Sequence, residues 1–401
     1  MNLLYISSFM FNQDGDFIYG LPSCSDAFFQ KYLDVFDRIT VIGNPFKSYL
    51  DKNNLVKIQD KRINIIIVPN NTRPKDFKND RLIKKVLNFE INKAEAILIK
   101  PASRKGMMAI SISNQLNKPY MIEMTGDLAN ALQKSDSLVK KIYSPIIYHK
   151  IRKSIKKCGY GLYVSTNYLQ KRYPIKGIQC GCSDVVLVND PSFDLSKRIE
   201  RNKNIYSNFL KGEIINIALI GFYQGKLKGV DVAIKSLSKL PEFYHLSILG
   251  NGTEENRKKW FNFAKKNGVN PVRVHFPTPL ANTSEVLTWL DSIDFLVHPT
   301  LSEGFGRCVA EAMSRGVVCF ATNICTMPEL LPTNCLHKIR KYKDLSRLIL
   351  MFSKNINLMN ETSIINYKKS KDYEFSVLTE RRNKFLNSFK NYCESFNSKE
   401  E

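Results

Sequence analysis

Residues 297–328 read VHPTLSEGFGRCVAEAMSRGVVCFATNICTMP, and this stretch decides the fold class. It begins in a short apolar run, 295–298, and leads through a glycine turn into a helical pattern that ends before Gly316. A second apolar run, 317–321, follows directly. Short, continuously apolar runs on either side of a helix are typical of strands buried in a parallel sheet. The stretch therefore predicts a strand–helix–strand unit of an α/β protein.

Two glutamates, Glu303 and Glu311, lie on either side of the glycine turn. Ligands of open α/β sheets bind beyond the carboxyl ends of the strands, which is where Glu303 would lie. Glycines let a ligand approach the backbone, and the free N–H groups at a helix start attract phosphate. A carboxylate accepts hydrogen bonds from neighbouring hydroxyls of a hexose or a ribose. The pattern indicates a nucleotide-sugar site; the alternative is one solvated loop glutamate and one surface helix glutamate.

The turn and its glutamates resemble a family signature. They are similar to the E-x7-E motif of retaining glycosyltransferases of family 4. The residues of this chain that match the motif are Glu303, Gly304, Phe305, Gly306 and Glu311. His298-Pro299, before the turn, also fits the family. The resemblance implies a GT-B fold, with two Rossmann-like α/β domains and a cleft between them. It further implies that Glu303 contacts the transferred sugar and Glu311 the ribose of the donor nucleotide.

A second resemblance lies in the loop after the apolar run that ends at Gly221. Lys226 and Lys228 follow before the next helical pattern. In the family a lysine at the place of Lys228 contacts the donor pyrophosphate, and Lys226 would assist it. A mobile lysine can follow the charge that builds on a leaving diphosphate. Many members carry arginine where this chain has Phe222; without the resemblance, such a lysine pair indicates a solvated loop.

A third glycine position completes the predicted donor side. Gly250 follows the apolar run 244–249, where the family has a Gly-x-Gly turn close to the nucleotide; a plain tight turn explains it equally well. We assign donor binding to Gly221, Phe222, Lys226, Lys228, Gly250, Gly304, Phe305, Gly306 and Glu311.

The acceptor side is predicted from the first half of the chain. Glu123 and Asp127 lie at the end of an apolar run, and many family members carry a histidine facing the sugar near this point. Asp127 is the leading candidate for a sugar contact, so it joins Glu303 and Lys228 as a catalytic residue. Glu123 is the second candidate. The alternative for these carboxylates is capping of the helix that begins nearby.

Gly15 lies between Asp14 and Asp16, a D-x-D pattern that looks like the metal motif of the other glycosyltransferase fold. Its position after the first strand does not suit that motif. The segment is predicted to be a flexible loop on the acceptor side. The resemblance to GT-B enzymes implies an enzyme with no bound metal and no cofactor.

A chain of 401 residues suggests two domains. Apolar runs alternate with helical patterns in both halves, which predicts two similar parallel sheets. We predict an acceptor-binding domain at 1–195, a nucleotide-sugar-binding domain at 196–370 and a C-terminal helix at 371–401 that packs back on the first domain. Three local predictions are a strand at 185–188, a polar linker at 196–213 and a long helix at 372–393.

The composition narrows the function classes. Nine scattered cysteines that lack the spacing of a zinc site indicate reduced thiols. Neither a signal peptide nor a membrane span is apparent. These features together predict a cytoplasmic protein. A net charge of +23 indicates an anionic partner such as a membrane, a phosphorylated substrate or nucleic acid, unless it reflects genomic bias. Because no nucleic-acid-binding motif accompanies the charge, nucleic acid is not expected to be the partner.

Residues 138–157 mix isoleucines with basic residues in a helical pattern that contains Pro145, which predicts a kink. This pattern fits a peripheral helix on the anionic inner membrane surface, where lipid-linked acceptors lie. The alternative is a core helix with a solvated basic face.

Together the residues predict a retaining glycosyltransferase of surface-polysaccharide synthesis. It would move a hexose from a UDP- or GDP-sugar to a saccharide acceptor, which is expected to be lipid-linked. Two alternatives stay open: a sugar-nucleotide epimerase or phosphorylase on the same fold, and a non-catalytic basic protein that binds membrane or nucleic acid.

Overall fold

A computed structural model describes residues 1–46 and 55–398. The chain forms two compact units. The first comprises Met1–Ala129, Tyr143–Cys182 and Thr379–Glu401, and the second comprises Asn130–Ile142 and Ser183–Leu378. The domain boundaries predicted from the sequence stay predictions.

The described strands are β1 Asn2–Asp14, β2 Phe17–Gly20, β3 Arg38–Pro45, β4 Val56–Lys57, β5 Ile63–Ile67, β6 Ala96–Ile99, β7 Tyr120–Met124, β8 Tyr160–Tyr163, β9 Ile178–Gly181, β10 Ile215–Ile220, β11 Tyr244–Leu249, β12 Val274–His275, β13 Phe295–His298, β14 Val318–Thr322 and β15 Leu336–His337. The described α-helices are α1 Asp26–Leu33, α2 Asp80–Lys93, α3 Arg104–Gln115, α4 Leu128–Gln133, α5 Leu138–Ile155, α6 Tyr168–Arg172, α7 Leu195–Lys211, α8 Val230–Leu237, α9 Glu254–Lys266, α10 Thr283–Asp291, α11 Arg307–Ser314, α12 Met327–Leu330, α13 Tyr342–Ser353, α14 Ile356–Ser370 and α15 Phe375–Asn397.

The sheet of the first unit has a parallel core in the order β5-β3-β1-β6-β7-β8-β9. Its central strand β6 is apolar and buried along its whole length, because helices in parallel α/β units cover both faces of the sheet. Strands β2 and β4 extend the sheet in antiparallel pairing. The carboxyl ends of β1, β6 and β7 therefore lie side by side.

The sheet of the second unit is parallel throughout its described strands, in the order β12-β11-β10-β13-β14-β15. Strands β10 and β13 are direct neighbours although a long stretch of chain separates them. Because they are parallel, the loops that follow them lie next to each other at one edge. This topology positions the candidate site.

The predicted flexible loop at Gly15 is a tight hairpin turn, so that prediction is wrong. Strand β1 continues to Asp14 and pairs with β2, with Asp14 opposite Phe17. Gly15 has a positive φ of 58°, which glycine adopts without steric cost and which suits a two-residue hairpin turn.

The predicted linker at 196–213 is largely a helix, α7, and this prediction is also wrong. Buried Arg198 donates hydrogen bonds to the carbonyl oxygens of Leu290, Ile293 and Arg315. Asn202, equally buried, donates to Ser363 Oγ at 3.0 Å. The inner face of α7 is partly polar, so its helical pattern is hidden from hydrophobic periodicity.

No strand forms at 185–188 in the described chain, where one was predicted; Leu187 makes only a single bridge, to Glu374. Helix α5 runs through Pro145 as one continuous element. The predicted final helix exists as α15, and in the first unit its residues Phe385 and Phe389 pack against Tyr160. Among the described helices, none is both long enough and apolar enough to cross a membrane.

Candidate functional site

Two neighbouring loops form the candidate site at the carboxyl edge of the second sheet. One follows β10 and leads into α8, and the other follows β13 and leads into α11. The amide of Leu301 donates to the carbonyl of Leu227 at 2.8 Å, and Thr300 Oγ1 lies 3.2 Å from the same oxygen. These bonds fasten the two loops to each other.

Two glycines permit the close packing of these loops. A Cβ at Gly229, where φ is 74°, would lie 2.0 Å from the carbonyl oxygen of Pro299. A Cβ at Gly250 would lie 2.2 Å from the carbonyl oxygen of Gly221. No larger residue fits either place without moving backbone, so Gly250, which was predicted at the donor side, has a steric role in loop packing, as does Gly229.

Glu303 is the centre of the site. Its Oε2 atom lies 2.6 Å from Lys228 Nζ and 3.0 Å from His298 Nε2. Its Oε1 atom accepts a hydrogen bond from the amide of Gly304 at 3.2 Å. Both carboxylate oxygens therefore have partners, and two of the partners are potential cations.

The electrostatics follow from this geometry. Burial alone would raise the pKa of Glu303, but the hydrogen bonds and charges of His298 and Lys228 outweigh it and lower the pKa to about 2. Burial would likewise lower the pKa of His298, but the Cys308 sulfur and the Glu303 carboxylate raise it to about 9. Glu303 is thus ionised at neutral pH, and its carboxylate favours the protonated form of His298.

Glu311 lies in the second turn of α11 and has a different environment. Burial raises the pKa of its carboxyl group, and the charge of Arg307 only partly offsets this. Within residues 1–46 and 55–398, no hydrogen-bond or ion-pair partner of this carboxylate is found. A half-buried carboxylate without a protein partner can accept hydrogen bonds from a ligand.

The helix start between the two glutamates has no side-chain cap. Gly306, the N-cap of α11, has a positive φ of 96°. Phe305 is buried, packs edge-on against Tyr373 at 5.0 Å and has its carbonyl held by Thr326 Oγ1. Gly304, Phe305 and Gly306 can therefore contact a ligand only through backbone groups. Such a helix N-terminus suits phosphate.

The remaining predicted donor residues lie on the loop after β10. Phe222 is 61% exposed, and Lys226 is also exposed. The structure brings Lys228 to Glu303 but leaves Phe222 and Lys226 in solvent. Their donor contacts stay predictions.

In the first unit, Glu123 lies at the end of β7 and is buried. It accepts hydrogen bonds from the hydroxyls of Tyr5 at 2.5 Å and Tyr32 at 2.7 Å. Lys100 Nζ lies 3.5 Å away. The Glu123 carboxylate is held inside the first unit by these three side chains. An acceptor sugar that binds Glu123 would have to share the carboxylate with them, and this acceptor role stays a prediction.

Asp127 is held even more firmly. The hydroxyls of Tyr168 and Tyr173 donate to it at 2.8 and 2.6 Å, and Arg172 forms an ion pair with it. Its side chain is 0% exposed. The sugar contact predicted for Asp127 stays a prediction.

Gly15, which was also predicted on the acceptor side, lies in the hairpin turn between β1 and β2. A Cβ atom built at Gly15 would have no neighbouring atom within 4 Å.

Two residues of the site were not recognised from the sequence. His298 was seen only as part of the flanking His298-Pro299 pair, and Cys308 was not singled out. Cys308 Sγ lies 3.5 Å from His298 Nδ1. A histidine that ends a buried strand five residues before the first glutamate is the signal that points to this contact. No group of three or more metal-ligating side chains is present among the residues with described structure.

The two parallel sheets and their loops define a GT-B fold. The chain superposes on the crystal structure of Alr3699/HepE from Anabaena in complex with UDP and glucose with a TM-score of 0.64, over 96% of this chain and 99% of that chain, at 14% identity. At this identity the likeness concerns the fold.

Sequence comparisons add the class of enzyme. Residues 215–351 match the family described as "Glycosyl transferases group 1". Protein CapJ of Staphylococcus aureus is 27% identical over 99% of this chain and 97% of its own. The lipopolysaccharide glucosyltransferase WaaG of Escherichia coli K12 is 30% identical over 34% of this chain and 36% of its own. These matches support a group 1 glycosyltransferase.

Proposed function

We propose that this protein is a retaining glycosyltransferase of family 4 that moves a hexose from a nucleotide diphosphate sugar to a saccharide acceptor. The observation that carries the proposal is the arrangement of Lys228, Glu303 and the start of α11 beside Glu311, which has no described partner. Cation, helix N-terminus and two carboxylates match the parts of such a donor: diphosphate, sugar and ribose.

The roles follow from the chemistry of each group. Lys228 and the α11 N-terminus would stabilise the charge that develops on the departing diphosphate. Glu303 would orient the transferred sugar, and Glu311 would accept hydrogen bonds from the ribose hydroxyls. No protein nucleophile is assigned. Neither a metal nor a cofactor is part of the proposal.

For the donor we favour a UDP-sugar over a GDP-sugar. HepE, which shares the fold, was crystallised with UDP and with UDP-glucose. That likeness supports a nucleotide-sugar donor of this type, and the choice of nucleotide is a prediction for this chain. Surface-polysaccharide synthesis is proposed as the setting because WaaG is a lipopolysaccharide glucosyltransferase and a second match is an O-antigen biosynthesis glycosyltransferase.

The donor assignment is tested by thermal shift and by transfer. We expect one of UDP-, GDP- and ADP-glucose, with the matching galactose donors, to raise the melting temperature, because a ligand that binds only the folded state stabilises it. Glu311→Ala is expected to lose this shift. The control is Glu242→Gln, which changes a glutamate elsewhere in the second unit that is paired with Arg273 and should keep the shift.

Other outcomes distinguish the rival functions. Donor turnover that needs no saccharide acceptor favours an epimerase, and phosphate-dependent cleavage favours a phosphorylase. Salt-sensitive binding to DNA without any nucleotide-sugar shift would contradict the enzyme proposal altogether.

We further propose a lipid-linked acceptor and peripheral docking on the cytoplasmic face of the membrane through residues 138–157. The buried face of α5 is formed by Ile147, Ile151 and Ile155. Large apolar side chains of its first half are exposed instead, namely Leu138, Val139, Ile142, Tyr143 and Ile146. Exposed basic residues follow toward its end, namely Lys150, Arg152, Lys153, Lys156 and Lys157. Apolar and basic exposed side chains on one helix suit an anionic bilayer surface.

Vesicle flotation tests this docking. The protein is expected to float with vesicles that contain phosphatidylglycerol and to stay behind with pure phosphatidylcholine. Lys150→Ala with Lys153→Ala should weaken binding about 30-fold, since each lysine contributes roughly 1 kcal/mol near an anionic surface.

The matched control for this test lies in α2, where Leu82 and Phe89 are also exposed. The double variant Leu82→Ser, Phe89→Ser should bind like the wild type. Unchanged binding of the Lys150/Lys153 variant would reject α5 as the docking element. Absence of flotation would reject membrane docking and leave the donor proposal standing.

A further inference from the structure

His298 is a buried polar residue to which the proposed function gives no role. It ends β13, its side chain is 1% exposed, and it lies between Glu303 and Cys308. A histidine in such a position has lost nearly all contact with water. Its ring nitrogens are therefore satisfied only by protein groups.

Lys228 and His298 share one oxygen of Glu303, but they differ in mobility. Lys228 is on a loop, is 25% exposed and carries its charge on a flexible stem. His298 is the last residue of the buried strand β13, and its side chain is 1% exposed. A donor diphosphate that attracts Lys228 would therefore take away one partner of Glu303 and leave the other.

We propose that His298 is a positioning residue: it holds Glu303 ionised and oriented toward the sugar while Lys228 turns to the donor diphosphate. This inference rests on the proposed function, because it assumes that Lys228 contacts the donor. Without His298, the binding of donor would leave a half-buried carboxylate with only the Gly304 amide as partner. Burial would then favour its protonated form.

The protonation state of the ring follows from its two neighbours. A carboxylate only accepts hydrogen bonds, so Nε2 must carry a proton toward Glu303. Nδ1 either accepts from the Cys308 thiol or donates to its sulfur, and only the second arrangement is an imidazolium. The ionisable groups that face His298 are Glu303, Cys308 and, through Glu303, Lys228. The carboxylate favours the imidazolium.

Histidine NMR tests the ion pair without any activity. The chain has five histidines, so a long-range ¹H–¹⁵N spectrum of histidine-labelled protein is simple, and His298→Gln assigns the signal. We expect both ring nitrogens of His298 to be protonated at pH 7.5 and the ring to lose its proton near pH 9. Glu303→Gln should shift that titration to lower pH. A neutral His298 ring at pH 7.5 would overturn the proposal.

Kinetics test the positioning role. His298→Gln is expected to lower kcat on the order of 100-fold, because a small misplacement of a group at the reacting sugar has effects of this size. The KM for donor and the thermal shift by UDP should change less than threefold. The activity of the wild type should fall as the pH rises through about 9, and this decline should be absent in His298→Gln.

The matched control is His337→Gln, which removes another buried histidine of the second unit whose Nδ1 bonds to the Lys338 carbonyl. It should keep the wild-type kcat and pH profile. Equal losses in both variants, or a wild-type kcat in His298→Gln, would reject the positioning role. If the wild type neither binds nor transfers any donor, the proposed function fails, while the NMR result still decides whether His298 is the cationic partner of Glu303.

Discussion

The acidic residues of the two units are held in contrasting ways. In the first unit, Asp127 receives two tyrosine hydroxyls and an arginine and is fully enclosed. In the second unit, Glu303 is held by Lys228 and His298, and Lys228 is partly exposed. Glu311 is half-buried and has no hydrogen-bond or ion-pair partner in the described chain, and only the charge of Arg307 acts on its carboxylate.

The difference separates structural carboxylates from carboxylates that remain available to a ligand. A carboxylate surrounded by tyrosines contributes to stability, and exchanging these bonds for a sugar would leave buried hydroxyls unsatisfied. A carboxylate whose partner is a mobile lysine can exchange that partner at little cost.

Glu303→Gln should lower kcat about 10³-fold, or about 4 kcal/mol in the barrier, because a preorganised charge at the reacting sugar is lost. Transfer assays with the donor found by thermal shift measure this effect. Glu242→Gln is the control and should keep full activity. If the kcat of Glu303→Gln stayed within tenfold of the wild-type kcat, Glu303 would not act on the transferred sugar.

The acid stability of the second unit should depend on Glu303. Its pKa is about 2 in the folded protein against 4.5 in the unfolded chain, so its stabilisation is present above pH 4.5 and is lost as the pH falls toward 2. The contribution is about 3 kcal/mol. Urea unfolding at several pH values should show that the wild type is more stable than Glu303→Gln at pH 6 and that the difference shrinks at pH 3. A pH-independent difference would contradict the ion-pair assignment.

Asp127→Asn should lower the free energy of unfolding by about 2–3 kcal/mol, since an amide cannot satisfy two hydroxyl donors and Arg172 together. Urea unfolding measures this, and the thermal shift by donor should persist. A variant with wild-type stability and a large loss of transfer would place Asp127 with Glu303 as a ligand-contacting residue. That result would contradict the view that the enclosed carboxylate of the first unit is structural and that only those of the second unit are available to a ligand.

Glu311→Gln should leave folding unchanged or slightly more stable, because burial already disfavours the charged form of this side chain. The Kd for donor should rise about tenfold, or about 1.4 kcal/mol, since hydrogen bonds to a charged acceptor are replaced by weaker ones. Isothermal titration calorimetry measures the change. An unaltered Kd would mean that Glu311 does not contact the ribose.

The fold was predictable where the sequence is locally periodic. The apolar runs that became β6 and β7 and the glycine turn before α11 follow the simple rules of buried strands and helix starts. Helix α7 was missed because its buried positions are polar: Arg198 bonds to three carbonyl oxygens of distant elements. A periodicity of apolar residues cannot reveal an inward-facing arginine.

The candidate site was predictable in its residue types and less so in its contacts. Glu303, Glu311 and Lys228 were identified from the turn and from the resemblance. His298 was not given a role, because its importance lies in its burial and in the direction of its ring. The sugar contact of Asp127 stays a prediction: the sequence shows a carboxylate at a strand end, and only the structure shows the two tyrosines that enclose it.

The sequence by itself determined the alternation of strands and helices, the glycine turns and the types of chemical group at the second sheet's edge. These features depend on neighbouring residues and on the backbone freedom of glycine. Only the tertiary structure decided which partner each carboxylate has. Lys228 and Glu303 are 75 residues apart in the chain and meet because β10 and β13 are adjacent parallel strands. Hydrogen bonds act over about 3 Å, so only the folded chain shows which carboxylates are enclosed and which remain available.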